Sequence, residues 1–344
     1  MIQYSEAEYR DRLIQGGMSA DAAADLAQTY AQANKLQAEP TPPPPPPSDV
    51  KISDRQRNLI DTGMKIQESP PNGEEMAFMH SILCQVGLPR SKVKGLEFER
   101  ICGAAGVFIR AGKLWDGKSF IQQEVPYGTM PRLIMAYVNT YALRNKTPEV
   151  EVGTSASDML RRLGKTPNGG TRSSYAAFRQ QTKALAACTM TIGFTRGERA
   201  FTYDGKPIKA FDAWLSNDAQ QQTLWPGVLT LSDEYYRTLS EHAVPLDLRA
   251  LMALKGSALA MDIYTMLAER LHRIGPRPVS LHWRSLREQF GQEYTGANSE
   301  KDFKRTFLTA LKKVLEVYPE AGVKVINGGL MLAESPPPVP YKLP

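Results

Sequence analysis

The chain has 344 residues, a mass of 38.2 kDa, 42% hydrophobic and 23% charged residues, and a net charge of +6. Such a length implies two or three domains with ample core, and no apolar run approaches the ~20 residues of a membrane-spanning helix. Three scattered cysteines, Cys84, Cys102 and Cys188, exclude a disulfide framework or zinc knuckle and point to a reducing cytoplasm.

Charge is unevenly placed. Up to Glu39, three cations face six carboxylates, leaving −3 there and +9 on the remainder. A basic body suits a polyanionic partner, and simple solubility is the plainer reading of the same charge.

Residues 1–39 read as an acidic leader of two helices. Ser5 and Ser19 are the expected N-caps, Gly16-Gly17 separates the helices, and Ala22, Leu26 and Tyr30 form a weak apolar stripe. The leader either docks a partner or another copy, or is a weakly ordered tail. Its opening, "MIQYSEAEYRDRL", is too acidic for a signal peptide. Residues 40–50 contain "PTPPPPPPSD", a semi-rigid polyproline spacer.

Residues 51–128 read as a mixed region leading into the body. "GEEMAFMHSILCQVGLP" is expected to be a helix ending at Gly87, and "FERICGAAGVFIRAGKLWDG" to be strands with bends. No chemistry is placed there.

Residues 129–240 are clearer. "PRLIMAYVNTYALRN" predicts a helix with Pro131 in its first turn and Leu133, Ile134, Tyr137 and Tyr141 on one face. "EVEVG" is a short strand. Ser155 to Asp158 fits an S-x-x-D helix start, Gly164 stops that helix, and a longer one begins near Thr171. "CTMTIGFTRGERAFTYDG" predicts a hairpin around "RGE". Helix, strand, helix, helix, hairpin is the order of a winged helix.

The order recurs over residues 245–334. A long helix carries Leu259, Ile263, Met266 and Leu267 inward. "PVSLHW" is a strand, "RSLREQFG" a short helix closed by Gly291, and "SEKDFKRTFLTALKKVLEVYP" a long basic helix ended by Pro319. "GVKVINGGLMLAE" is a hairpin with Asn327-Gly328 in its turn. Residues 335–344 are an extended tail. The predicted class is α+β, mainly helical: tandem winged-helix domains with a helical N-terminal extension.

In the first long basic helix, Arg172, Ala176, Arg179 and Lys183 share one face, with Ser174, Phe178 and Leu185 roughly opposite. In the second, Lys301, Lys304, Arg305 and Lys312 share a face opposite Phe303, Phe307, Leu311 and Val314. A helix-turn-helix lays such a helix in the DNA major groove. Arginine suits guanine, while Ser173, Tyr175 and the lysines suit phosphates. A solvated cationic face is the bland alternative for one stripe; two, each between a short capped helix and a hairpin, favour the functional reading. The hairpins either touch the flanking backbone through Arg196, Arg199 and Lys206 or are plain exposed turns.

Enzymatic readings fare poorly. "GKTPNGG" is no Walker A, since the pattern would need glycine at Met159 and should follow a strand. His80, His242, His272 and His282 stand apart, without the close pair a nickase needs to hold a metal. Glu74-Glu75 and Asp233-Glu234 lie at expected helix starts. His80 and Cys84, one turn apart, lack further ligands for a metal. No catalytic residue, metal or cofactor is expected.

Four stretches carry a family resemblance: "VPYGTMPRLIMAYVNTYA", "EVGTSASDMLRRLGKTPNGGTRSSYAAFRQQ", "VPLDLRALMALKGSALAMDIYTMLAERL" and "LREQFG…FKRTFLTALKKVLEVYP". Through them the chain resembles, from about Leu88 to Ser335, the RepA-type replication initiators of broad-host-range bacterial plasmids that share the RepA C-terminal region. The resemblance implies binding of repeated double-stranded origin DNA (iterons), origin opening, and recruitment of the host replicative helicase or its loader, in the bacterial cytoplasm; two dissimilar reading helices in one chain predict that the sites lie as direct repeats. A homodimer away from the origin is a further expectation, and membrane association is not expected. A winged-helix transcriptional repressor, including one acting on its own gene, is the alternative.

Overall fold

The computed structural model describes residues 5–16, 18–38, 53–151, 156–164, 174–211 and 228–340. The chain divides into an N-terminal unit ending at Ser53 and a body beginning at Asp54.

In the N-terminal unit, α1 (Glu6–Gln15) packs against α2 (Ala20–Ala38). Ser5 starts α1 with a capping box. The Glu8 amide donates to Ser5 Oγ at 3.3 Å, and the Ser5 amide donates to Glu8 Oε2 at 2.8 Å. The Ser5 hydroxyl, donating to Glu8 Oε2 at 2.7 Å, and then the Ser5 amide hold the Glu8 carboxyl below the usual carboxylate range. The helices meet at Ala23 and Ala27, which are buried, while Ala22 and Leu26 are exposed. The expected stripe is therefore displaced by one residue, because alanine side chains allow the closer approach. The Tyr30 side chain and the proline spacer lie outside the described residues.

The body opens with α3 (Asp54–Glu68), β1 (Met76–His80) and α4 (Ser81–Val86). The helix expected across "GEEMAFMHSILCQVGLP" is thus half strand. Ala77 and Met79 alternate inward, and the strand pairs antiparallel with a partner far down the chain, which overrides local propensity. His80 Nδ1 accepts from the Ile82 amide at 3.3 Å and caps α4, which Gly87 ends. Glu74 and Glu75 start no helix; their amides donate to Asn72 Oδ1 in a turn.

The strands expected next are β2 (Glu97–Cys102), β3 (Ala105–Arg110), β4 (Lys113–Trp115) and β5 (Phe120–Gln122). Helix α5 (Thr129–Asn145) follows. Every residue from Met130 to Ala136 is buried, whereas Tyr137 and Tyr141 are half-buried. It is an internal spine rather than the one-faced helix expected. Then come β6 (Glu149–Glu151), α6 (Ala156–Arg162), α7 (Ser174–Ala187), β7 (Thr189–Arg196), β8 (Arg199–Gly205), β9 (Ile208–Phe211) and β10 (Val228–Leu231). The remainder is α8 (Asp233–His242), β11 (Ala243–Asp247), α9 (Leu248–Ala253), α10 (Ala258–Arg270), β12 (Val279–His282), α11 (Trp283–Phe290), α12 (Ser299–Val317), β13 (Val323–Ile326) and β14 (Gly329–Leu332).

Two three-stranded sheets share one plan. In the C-terminal sheet the order is β12-β14-β13, and in the earlier one it is β6-β10-β9. In each, the strand before the helix pair lies at one edge and the last strand lies in the middle.

This changes the role of the "RGE" hairpin. β7 and β8 do not join β6; they extend β2 and β3 into a four-stranded sheet ordered β2-β3-β7-β8. Apolar alternation drives the choice, since buried Met190 and Ile192 face buried Ile109 and Val107 across the β3–β7 ladder. Residues 97–110 and 189–205 therefore form one layer across position 128. The hairpin comparable to β13–β14 is β9–β10, and residues 212–227 between them lie outside the described set.

Helix α3 packs on α12 so tightly that a Cβ on Gly63 would stand 1.9 Å from the carbonyl oxygen of Glu316. Among the described residues, no helix is long and apolar enough to cross a membrane.

Candidate nucleic-acid interface

Helices α11 and α12 meet at a turn built on aromatic packing. Phe307 on α12 contacts Trp283 and Phe290 on α11, with ring centroids 5.9 and 5.6 Å apart, and Tyr294 in the turn meets Phe303 at 5.6 Å. Phe303, Phe307, Leu311 and Val314 are buried, as their spacing predicts. Arg287 braces the start of α12, donating to Ser299 Oγ at 2.8 Å and lying 3.6 Å from Glu300 Oε1.

The opposite face of α12 presents Lys301, Lys304, Arg305 and Lys312, all exposed, with half-buried Leu308 among them. Two of the cations are engaged. Lys304 Nζ lies 5.0 Å above the Trp283 ring, and Arg305 Nη2 donates to Asp302 Oδ1 at 2.9 Å. Exposed pairs of this kind contribute ~0–1 kcal/mol, so phosphates can displace them. Beside the N-terminal half of α12 runs a groove of about 840 Å³, lined by Arg284, Arg287, Lys301 and Lys304 together with Glu288 and Glu300.

The first helix pair, α6 and α7, is described in part. Arg172 and Ser173, the Ser155 helix start and the Arg196 side chain lie outside the described residues. Helix α6 runs out into Gly164, whose φ of +61° favours glycine. Phe178 and Leu185 are buried, as expected. The exposed positions of α7 are Ala177 and Gln180, while Tyr175, Arg179 and Lys183 are half-buried on its flank. Burial, then repulsion from Arg179, pulls the Lys183 ammonium below the usual lysine range.

The cover over α7 comes from a segment to which no role was assigned. β4 packs against the helix. Gln181 Oε1 accepts from the Tyr127 amide at 2.8 Å, and its Nε2 donates to Glu124 Oε1 at 3.1 Å. Gln180, Lys113 and Lys118 are the exposed polar groups here that the cationic spacing did not single out; the pairing of α7 with a distant hairpin has no local signal. Arg199 and Lys206 are exposed, Arg199 at the start of β8 and Lys206 between β8 and β9.

A buried charge cluster joins α5, α10 and the α11–α12 turn. Arg132 on α5 grips Asp262 on α10 through Nε–Oδ1 at 2.6 Å and Nη2–Oδ2 at 2.7 Å. Its remaining donors reach the carbonyls of Leu88 at 2.6 Å, Pro89 at 3.1 Å and Gly128 at 2.6 Å. Arg100 on β2 donates to Val86 O at 3.0 Å and lies 3.4 Å from Glu293, in the α11–α12 turn. Arg90 bonds Glu293 and the Phe290 carbonyl, with its Nη1 3.8 Å from Asp262. Burial lowers the Arg100 guanidinium to about 10, with Arg90 adding to the shift.

His80 and His242 are not isolated as expected. The β1–β11 pairing sets their rings 6.2 Å apart, with His80 also stacked on Tyr235 at 6.0 Å. Burial and then His242 lower His80 to about 4. Cys84 is fully buried and its thiol is pushed well up by that burial. Among the described residues, no group of three or more His, Cys, Asp or Glu side chains is placed to hold a metal ion.

Residues 125–282 match the family model described as plasmid encoded RepA protein. The RepA resemblance read from the sequence is borne out over that span, which runs from just before α5 to the end of β12. The α11–α12 pair follows it directly. No curated protein matches the chain. A crystal structure of domains 2 and 3 of RctB is similar, with a TM-score of 0.41 and 11% identity, over 72% of this chain and 87% of that one.

Proposed function

We propose that the chain is a plasmid replication initiator, non-enzymatic, that binds repeated origin DNA through two winged-helix modules. The observation that carries the reading is the repeated plan: helix, strand, helix pair and hairpin, with the sheet ordered first strand, last strand, middle strand in both halves. In the second module α12 is the reading helix, with Lys301, Lys304, Arg305 and Lys312 toward DNA and β13–β14 as the wing. In the first, α7 is the reading helix, with Arg172, Ser173, Tyr175, Arg179 and Lys183 at or near its DNA side. The first wing is β9–β10 rather than the hairpin that carries Arg196.

The match of residues 125–282 to plasmid encoded RepA proteins supports initiation as the purpose of that binding. Reading helices on successive major grooves lie ~34–36 Å apart, and the Arg132–Asp262 joint holds the two modules in one relation. One chain with two dissimilar helices has no two-fold axis, so it reads an asymmetric site, and several such sites lie as direct repeats. Origin opening and loading of the host helicase follow from that array.

The test is a plasmid whose only replication functions are this gene and the DNA immediately upstream. Autonomous maintenance in bacteria, with a footprint of protected direct repeats, is the expected result. Repression of the gene without maintenance, on a palindrome occupied by two chains, would make the protein a transcriptional repressor instead.

A further inference from the structure

The β4–β5 hairpin is an aromatic finger rooted beside α7. Its ladder pairs Lys113 with Gln122, Leu114 with Ile121, and Trp115 with Phe120. Alternation puts Lys113, Trp115, Phe120 and Gln122 on one face. That face is open: Trp115 is 52% and Phe120 68% exposed, and Phe120 is the most exposed large hydrophobic side chain among the described residues. The two rings meet edge to face at 5.2 Å and 61°, so at least one ring plane stays uncovered.

The finger is not a loose loop. Asp116 Oδ1 accepts from the Lys118 and Ser119 amides, each at 2.8 Å, and closes the tip. At the base, the Gln123 amide donates to Gly112 O at 2.9 Å. Gly112 in turn sits against the end of α7, where a Cβ would stand 2.0 Å from Ala187 O.

Charge indicates the occupant. Lys113 and Lys118 are exposed at the two ends of the aromatic face, with Lys183 and Arg179 on the adjoining helix. The nearby acids are engaged, Asp116 with the turn amides and Glu124 with Lys92 at 3.1 Å. A protein partner is a poor fit, since a stable interface needs about 800 Å² from each side and a short hairpin with two aromatic rings does not supply it. Aromatic planes flanked by cations fit a nucleic-acid strand, whose bases stack and whose phosphates pair with lysine.

We propose that the β4–β5 hairpin binds unpaired DNA, stacking bases on Trp115 and Phe120 while Lys113 and Lys118 hold the flanking phosphates. The proposal rests on the DNA-binding reading of the body and gives it a second surface, for strand rather than duplex.

The full-length chain is tested by fluorescence anisotropy against a labelled oligothymidine and, separately, the duplex upstream of the gene. Replacing both rings by leucine (W115L with F120L) keeps apolar bulk and removes the stacking planes. The expected result is a loss of about tenfold or more on oligothymidine, duplex binding within about twofold, and recovery of strand binding in the conservative W115F variant. Unchanged strand binding by the leucine variant overturns the proposal. So does a wild-type chain that binds duplex but not oligothymidine, which leaves the duplex reading standing. A wild-type chain that binds oligothymidine but not duplex refutes that reading and spares the finger. Equal loss on both DNAs makes the hairpin part of the duplex surface and also overturns the proposal. A dimer, seen by light scattering, that the leucine variant dissolves would make a second copy the occupant, again against it. Should the double variant melt early, F120L alone carries the same comparison, because that ring lies on the exposed face.

Discussion

Arg132 and Asp262, 130 residues apart, close a buried two-point ion pair at 2.6 and 2.7 Å. Arg132 lies on α5 and Asp262 on α10, and their side chains are 5% and 7% exposed. Removing one partner strands a buried charge, which costs about 3–5 kcal/mol. Asp262→Ala should therefore lower the urea midpoint by that equivalent. Replacing both residues with apolar ones of similar volume should recover much of it. A single-site loss under ~1 kcal/mol would show that the joint does not carry the contact.

Helix α12 should dominate the salt dependence of duplex binding. Each neutralised phosphate adds about −0.9 to the log–log slope. Lys312→Ala should flatten the slope by about that amount and weaken all sequences alike. Arg305→Ala should cost on the order of 1–3 kcal/mol and relax preference at one position. Asp302→Asn, which frees Arg305 from its pair, should tighten binding. Anisotropy titrations across salt concentrations check all three.

Gly63 makes an opposite-sign test of helix packing. In an exposed helix, Gly→Ala stabilises by ~1 kcal/mol. Here the added Cβ would meet the Glu316 carbonyl at 1.9 Å, and overpacking of that kind costs about 1–3 kcal/mol. Gly63→Ala should lower the thermal midpoint. A raised midpoint would mean that α3 and α12 do not approach so closely.

His80 predicts how stability depends on pH. Its folded value of about 4 lies below the ordinary histidine value of 6.5. Above 6.5 both states are neutral there, and the site costs nothing. As pH falls, the unfolded chain takes up the proton first, so stability is lost progressively between 6.5 and 4. The linkage amounts to about 2 kcal/mol between pH 7 and pH 5. His80→Asn keeps an acceptor for the Ile82 amide and should remove that part of the loss. Urea midpoints at the two pH values decide it.

What could be read from sequence was local. α12 carries its own apolar face and closing proline, and β13–β14 carries Asn327-Gly328 in its turn, so both stand where the pattern placed them. The Lys301, Lys304, Arg305 and Lys312 face was legible for the same reason. What could not be read was pairing. Nothing in "MAFMH" says that its ladder partner is Ala243–Asp247, and without that partner the stretch reads as helix. The hairpin around Gly197 was visible as a hairpin, but its attachment to β3 depends on residues 105–110. Likewise, Lys183 scored as a free cation until the β4 hairpin, 70 residues earlier in the chain, was folded over it.

The pairing of β1 with β11 has a kinetic side. Met76 waits for Asp247, and α3 waits for α12, so the first-made part of the body completes its pairing late. At ~5–20 residues per second, a ribosome needs roughly 10–35 s to make the intervening chain. Over that interval β1 has α5 against it but no ladder partner, and α3 has neither α9 nor α12 against it, in a nascent polypeptide open to chaperones and proteases. The body therefore completes its fold only once α12, ending at Val317, has been made. A protein built this way would have its yield set by the pace of translation as well as by transcript number.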